Sequence, residues 1–529
     1  MRSIENCRTA LLIGLIAVTA APVLGSATWT VCPSGCNFTS IGAAIDNANP
    51  GDTIVVQVDG KHTEGAIQVD KDITIQGLGR TITKVQQASI LRDADDPVFV
   101  VGSGARATIR DMTIRHGRDI LGGCVNITDG ELLLQSVIVT DCDGSDGGGI
   151  RNLGDLTLQG VDIVNSFADR GGGIVNLGFL DAENTKISFN TADETSGGLY
   201  NTGVALLYST EISYNLAYGF GGGILNPPAG GSRLLLDGCL VEGNRVLADA
   251  GSVLVGGGVA SNAPILEIYD TTFRGNRTEG VGGRGGGLWS FFNELVSMSG
   301  NTFEGNEAIE GGGLWTRVSM NMSNSTFSGN EARNDGGGIY VDSDADLRLA
   351  NVTISDNTAD SDGNGLGDGG GIFIAGDARA RNSLIVGNHD LSHPSLDYAP
   401  NCRGTLASDG YLLLGDVGHD EGSATQACHV IGAGVGNTLG VEQALGPLSD
   451  NGGPTKTHAL IPGSLAVDTG DPNGCTSYDG DPLDADQRGY MRPNRCDRGA
   501  FELGAFASDL IFLDGFESGS TSQWSGVLP

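Results

Sequence analysis

Four aromatic residues recur at one place in a repeated phrase: Trp289, Trp315, Tyr340 and Phe373 each follow the apolar residue that closes a glycine cluster. Flat apolar faces with wet edges accept the apolar face of a pyranose, so these four are candidate carbohydrate-binding residues. The same row would also serve as a ladder stabilising a strand face, or pack beneath an inserted loop. A second candidate is the stretch from Asp360 to Asp368, which sets Asp360, Asp362, Asn364 and Asp368 at positions 1, 3, 5 and 9 with Gly365 at position 6. This is the oxygen spacing of an EF-type Ca²⁺ loop without its closing bidentate Glu. Ca²⁺ is therefore the one cofactor the sequence suggests, with an ordinary acidic turn as the alternative. Asp141, Asp143 and Asp146 make a poorer echo of that spacing.

Composition restricts what such residues can recognise. The chain has 529 residues and a formal charge of −34, with 30 Lys and Arg against 64 Asp and Glu. A partner bound through a basic field, nucleic acid above all, is excluded on that balance. Glycine makes up 86 of the 529 residues, or about 16%, roughly twice the usual share. The glycines are clustered rather than placed at every third position, and 39% of residues are apolar, so neither collagen nor a disordered low-complexity chain fits.

The clusters are a repeat. Phrases of the type Gly-Gly-Gly-Ile begin at Gly122, Gly147, Gly171, Ser196, Gly221, Gly256, Gly285, Gly311, Gly336 and Gly369, mostly about 25 residues apart, with longer gaps where loops are inserted. A short β-rich run ending in Asn precedes many of them, as at Asn190, Asn215, Asn276, Asn306, Asn330 and Asn357. Three short strands and three turns per unit predict one coil of a parallel β-helix, with coils stacked about 4.8 Å apart. Alternation along a strand then turns Asn152, Asn176, Asn201 and Asn226 inward as a hydrogen-bonded stack, which satisfies amides that are costly to bury alone. The residues between apolar and Asn positions, Arg151 through Phe373, face outward, and the aromatic row is the last part of that column. Upstream, Ile41 to Asn49 reads as a short helix capped by Thr39 or Ser40 and ended by Pro50-Gly51, placed to cover the open end of the tube.

The first 27 residues carry Arg2 and Arg8, an apolar run from Thr9 to Leu24, and Gly25-Ser26-Ala27, the order of an export signal. Beyond it no apolar stretch is long enough to span a bilayer as a helix. Nine cysteines remain after its removal. In an oxidising compartment the expected local pairs are Cys32 with Cys36, Cys402 with Cys428 and Cys475 with Cys496, with at least one thiol left over and Cys239 the candidate small buried hydrophobe.

Phrases of the GGGI type alternating with FSGN or FEGN resemble the repeats of polymorphic outer-membrane proteins and, more broadly, the pectin-lyase-like right-handed β-helix proteins. Phe38 to Ile45 and Asn49 to Val56 are similar to the cap of those folds. Residues Leu445 to Leu448, Asn451 to Thr455, His458 to Leu460, Asp486 to Gly489 and Cys496 to Glu502 resemble the choice-of-anchor Q module of bacterial secreted proteins, which implies a surface or secreted protein with an attachment tail. Residues 511–519 resemble tails of secreted bacterial proteins that act as sorting signals. Together the residue patterns and the resemblance divide the chain into a signal peptide over 1–27, an all-β, right-handed single-stranded parallel β-helix of about a dozen coils with a helical cap over 28–400, an anchoring module over 401–505 and a tail over 506–529.

A pectin-lyase-like helix often acts on polysaccharides, but fold alone does not license an activity. A uronate lyase of that type needs a Lys or Arg base and cationic charge or Ca²⁺ to hold the anion that forms. Lys186 is the only lysine in the repeats, and Arg115, Arg118, Arg151 and Arg170 supply one thin cationic zone. The expected role is therefore an exported cell-surface or secreted protein that contacts a polysaccharide or cell-surface glycan, or acts as an adhesin, with cell-envelope attachment through the C-terminus. A secreted polysaccharide lyase or glycoside hydrolase, with Ca²⁺ offsetting the negative charge, is the alternative.

Overall fold

The protein is described by a computed structural model that covers residues 26–507 except 248–253, 281, 393–397, 421–425, 433 and 493–494. The expected signal segment, but for Ser26 and Ala27, and the tail beyond Ala507 lie outside the described residues. Among the described residues no helix is long and apolar enough to cross a membrane.

Each coil repeats one path, seen for example from Ile174 onward. A short strand, Ile174–Asn176, belongs to one sheet; Phe179–Glu183 and Lys186–Ser188 form a second, bent sheet; Thr191–Thr195 belongs to a third; a glycine turn then leads to Leu199–Asn201, one coil further on. Among the described residues the strands of neighbouring coils pair in parallel, such as Ile174 with Leu199, Leu180 with Ala205 and Ile187 with Ile212, with one register shift in the third sheet between Ala168 and Arg170. Inward residues of the sheets merge into one continuous core from Val31 to Cys428, including a stack of Phe273, Phe303 and Phe327 with centroids 4.6 and 4.5 Å apart.

There are about sixteen turns rather than a dozen. The first turns, built on Thr28–Val31, Thr53–Val56 and Ile73–Gln76, carry no glycine phrase. At the far end Cys402–Ser408, Leu413–Leu414, Cys428–Ile431 and Thr438–Leu439 still pair in parallel with the coils before them. Stacking therefore continues through residue 439, past the expected boundary at 400.

The glycine phrase is required by two separate features. Gly171 opens its turn at φ +60°, where an L side chain is disfavoured. Gly172 has a normal φ but no room, since a Cβ there would lie 2.4 Å from the carbonyl oxygen of Thr191 and 2.6 Å from that of Gly197 in the next coil. The predicted amide stack is present: Asn152 donates to Asn176 at 2.8 Å, Asn176 to Asn201 at 2.7 Å and Asn201 to Asn226 at 2.8 Å. A longer stack stands where the sequence suggested only a turn. Asn190, Asn215, Asn244, Asn276, Asn306, Asn330, Asn357, Asn388 and Asn401 are all buried, and each of the first eight donates its amide to the next at 2.7–3.0 Å.

The helix Ile41–Asn47 caps the first coil. Ser40 is its N-cap, accepting from the amide of Ala43, and Glu64 accepts from Ser40 and from the amides of Ile41 and Gly42. Cys32–Cys36, Cys402–Cys428 and Cys475–Cys496 are disulfides as expected, and Cys239 is buried and free. A fourth disulfide, Cys124–Cys142, joins residues that one circuit of the coil brings together.

Residues 445–505 double back along the bent sheet. Gln487, 2% exposed, donates to the hydroxyls of Thr302 and Thr455 and accepts from that of Thr326. Ala500 donates its amide to Thr353, and Leu460, Ala466 and Phe501 pack on Leu384, Val386 and Leu413. Two buried ion pairs, Arg488–Asp486 and Arg492–Glu502, each at 2.6 Å, hold this segment together.

Candidate functional site, an aromatic band beside an ionic column

Strands Leu288–Ser290, Leu314–Thr316, Ile339–Val341 and Ile372–Ile374 are hydrogen-bonded neighbours in one sheet, and their register sets Trp289 against Trp315, Trp315 against Tyr340, and Tyr340 against Phe373. The rings stack in sequence, with centroids 6.0, 6.1 and 5.0 Å apart and planes within 18° of parallel. The predicted row therefore exists as one continuous band. Its members differ in access: Trp289, Tyr340 and Phe373 are half-buried, whereas Trp315 is fully buried. The guanidinium of Arg284 lies over the Trp315 ring at 4.9 Å, and Phe291, from the loop after Trp289, lies against both indoles at 5.1 and 6.3 Å. Phe292 beside it is 69% exposed and extends the band into solvent. Neither indole N–H, of Trp289 or of Trp315, has a hydrogen-bond partner within the described residues.

Sequence reasoning missed the column that flanks the band. The residue just before each glycine phrase, Arg284, Glu310, Asp335 and Asp368 in successive coils, lines up beside the rings. Glycine at the following position is the signal that would have found it, because the turn aims its preceding residue along the same outer edge. Arg284 pairs with Glu310 at 3.0 Å, and Arg403 lies 3.5 Å from Asp368 and also pairs with Asp420. Asp335 accepts the amide of Asp368. Burial, aided by the Glu310 carboxylate, pushes the Asp335 carboxyl up to about 6, and burial with the Glu310, Asp335 and Asp342 charges pushes the Tyr340 phenol up to about 12. An apolar stacking surface is thus bordered by donors and acceptors at coil spacing.

The proposed calcium loop is arranged differently. Asp360 is buried and its carboxylate accepts the amides of Asn364 and Gly365, Asp362 accepts from Asn364 at 3.3 Å, and Asn364 accepts the amide of Leu366. Asp368 instead joins the ionic column at Arg403. Among the described residues no group of three His, Cys, Asp or Glu could hold a metal. The Asp360 and Asn364 oxygens cap the loop's own backbone.

The cationic zone on the early coils is half neutralised: Arg118 and Arg170 pair with carboxylates, whereas Arg151 reaches only the Asn126 side chain at 3.5 Å. Arg118 pairs with Asp143 at 3.0 Å, Arg170 donates to both oxygens of Asp146, and Arg115 donates to Gln86. Arg118 and Asp143 line an open cleft of about 590 Å³ together with Asp119, Ile120, Phe167 and Asp169. Burial and Asp169 raise the Asp143 carboxyl, against the pull of Arg118. Among the described residues no His or Lys lines that cleft.

Fold and surface together define a right-handed β-helix carrying an outward aromatic band. Residues 256–390, which include all four coils of the band, match the family described as the right handed beta helix region. Similar solved structures include tailspike protein 3 of bacteriophage CBA120, at 13% identity and a TM-score of 0.29 over 74% of this chain and 57% of that one. The pectate lyase Pel9A matches at 13% and 0.27, over 90% and 96% of the two chains. The A-module of Azotobacter vinelandii mannuronan C-5 epimerase AlgE6 matches at 13% and 0.27, over 76% and 94%. The chain spans little more than half the length of the tailspike. No curated protein matches it in sequence.

Proposed function

We propose that this is an exported, cell-surface or secreted β-helix protein that contacts polysaccharide through the Trp289–Phe373 band. The observation that supports this reading is the in-register stack of four aromatic rings bordered by Arg284, Glu310, Asp335, Asp368 and Arg403. Pyranose rings have an apolar face for the rings and hydroxyls for the ionic column. Trp289, Tyr340, Phe373 and Phe292 make the contacts; buried Trp315 holds its neighbours parallel. The segment 445–505, docked beside the band's coils, belongs to an attachment device in this reading.

The lyase or hydrolase alternative has less support, because Arg118 and Arg170 are held by carboxylates, while Arg115 and Arg151 face only the amides of Gln86 and Asn126. The test is a glycan array probed with the wild type and with Trp289→Ala/Tyr340→Ala. Binding that falls at least tenfold supports the band; identical profiles at unchanged Tm refute it.

A further inference from the structure

One turn of the helix keeps the same backbone over successive coils and carries an aromatic ring of Phe or Tyr in two of them. The residue after the bent sheet is left-handed in successive coils: His116, Asp141, Asn165, Phe189, Tyr214, Gly243, Gly275, Gly305, Gly329, Asp356 and Gly387 all have φ between 53° and 67°. Five are Gly, and Asn, Asp and His are the side chains most often found in this region. Phe189 and Tyr214 are the two bulky residues, and a bulky L side chain there is a genuine outlier whose cost must be offset elsewhere.

Packing offsets only part of it, through the contact of the two rings with each other and of Tyr214 with the Gly243 turn. Phe189 is 54% exposed and Tyr214 48%, yet their rings stack on each other at 5.3 Å with planes 11° apart. The next coil accommodates them: a Cβ on Gly243 would lie 2.6 Å from the Tyr214 ring. Each ring is also anchored through its chain neighbour, because Asn190 and Asn215 are locked in the buried stack, joined at 3.0 Å. The pair is thus held rigidly in solvent at a backbone cost. Beside it runs a polar row on the bent sheet, in which Lys186 pairs with Glu211 at 2.7 Å and Glu211 also accepts from Ser213.

We propose that Phe189 and Tyr214 form a second glycan-contacting platform, separate from the aromatic band, that takes the pyranose rings of a neutral polysaccharide. Stable protein interfaces bury about 800 Å² per partner, far more than two rings set among Gly, Asn and charged residues offer. A sugar unit needs only an aromatic face and nearby hydrogen-bonding groups. Lys186 is closed on Glu211 and the chain carries −34, so no cation is left here to draw an acidic polymer.

The platform lies three coils before Trp289 and on a different edge, so it stands or falls independently of the band. The experiment is affinity electrophoresis of the full chain through gels containing starch, galactomannan or xylan, with Tm measured in parallel. Phe189→Gly/Tyr214→Gly restores the residue that five other coils use, so Tm is expected to hold or rise while retardation by at least one polymer weakens tenfold or more; Phe189→Tyr keeps it. Unchanged retardation of the double glycine variant overturns the proposal, as does a wild type that none of the three polymers retards. A fall in Tm overturns it too, because the rings would then be stabilising the turn. Trp289→Ala run alongside separates the two sites: retardation lost only with Trp289→Ala refutes the platform and leaves the band standing.

Discussion

The carboxylate of Asp335 accepts the backbone amide of Asp368, one coil further on, at 2.9 Å. That bond and Arg403 favour the ionised form, yet burial and the Glu310 and Asp390 charges outweigh them and hold the carboxyl at about 6. The folded value lies above the unfolded one, so the stability this group contributes is full below about pH 4 and is lost as pH rises through 6. Asp335→Asn keeps the acceptor without the charge. It is expected to match the wild type in stability at pH 4 and to exceed it at pH 7.5 by about 1–2 kcal/mol, read from urea melts; an equal effect at both pH values would contradict the assignment.

Glu64 has the opposite sign. Burial works against its charge, but hydrogen bonds from His62, the amides of Gly42 and Ile41, and Ser40 bring its carboxyl down to about 2. Stability from this group is present above about pH 4.5 and disappears as pH falls through 2. Glu64→Gln should cost about 1–2 kcal/mol at pH 7, allowing for its partial exposure, and the gap should close on acidification in urea melts.

Trp315 and Trp289 separate structure from contact. Trp315→Ala removes a fully buried indole and is expected to cost about 3–5 kcal/mol, read as a loss of Tm and of binding together. Trp289→Ala, at a half-buried position, should lose binding with a much smaller change in Tm. A Trp315→Ala protein as stable as the wild type would show that the indole is not packed as described.

Asn276 donates to the carbonyl of Val241 at 2.8 Å and to Asn306 at 2.9 Å, and accepts the amide and side chain of Asn244. Asn276→Ala leaves buried partners unmatched on both sides and should cost about 2–4 kcal/mol. Thermal unfolding would show it; a loss below about 0.5 kcal/mol would mean the stack is redundant.

Calcium is expected to leave the protein's Tm unchanged at millimolar concentration, because backbone amides already occupy the Asp360 carboxylate and Asp368 is engaged with Arg403. A ligand that prefers the native state raises Tm, so a clear upward shift abolished by Asp360→Asn would contradict this.

Spacing alone carried much of this molecule. A 24- or 25-residue step between Asn152, Asn176, Asn201 and Asn226 is one circuit of the coil, and strand alternation then fixes which residues point inward. The same logic aligned Trp289 with Phe373, and the glycine phrase announced a turn in which one Gly takes φ > 0 and its neighbour touches the next coil. The first and last turns were not legible, since Thr53–Val56 and Cys428–Ile431 stack through the same ladder without that phrase. Nor was the long Asn190–Asn401 stack, whose members read as turn residues until the coil turned them inward.

Sequence by itself determined the path of the chain, because its period, its alternation and its left-handed positions are local properties that repeat. Only the tertiary structure decided accessibility and partnership, because these depend on what arrives from elsewhere: Arg284 and Phe291 over Trp315, Cys142 beside Cys124 after one circuit, and Gln487 against Thr302 and Thr326 from more than 150 residues away. A repeat specifies where a side chain points, while exposure is set by the chain that covers it.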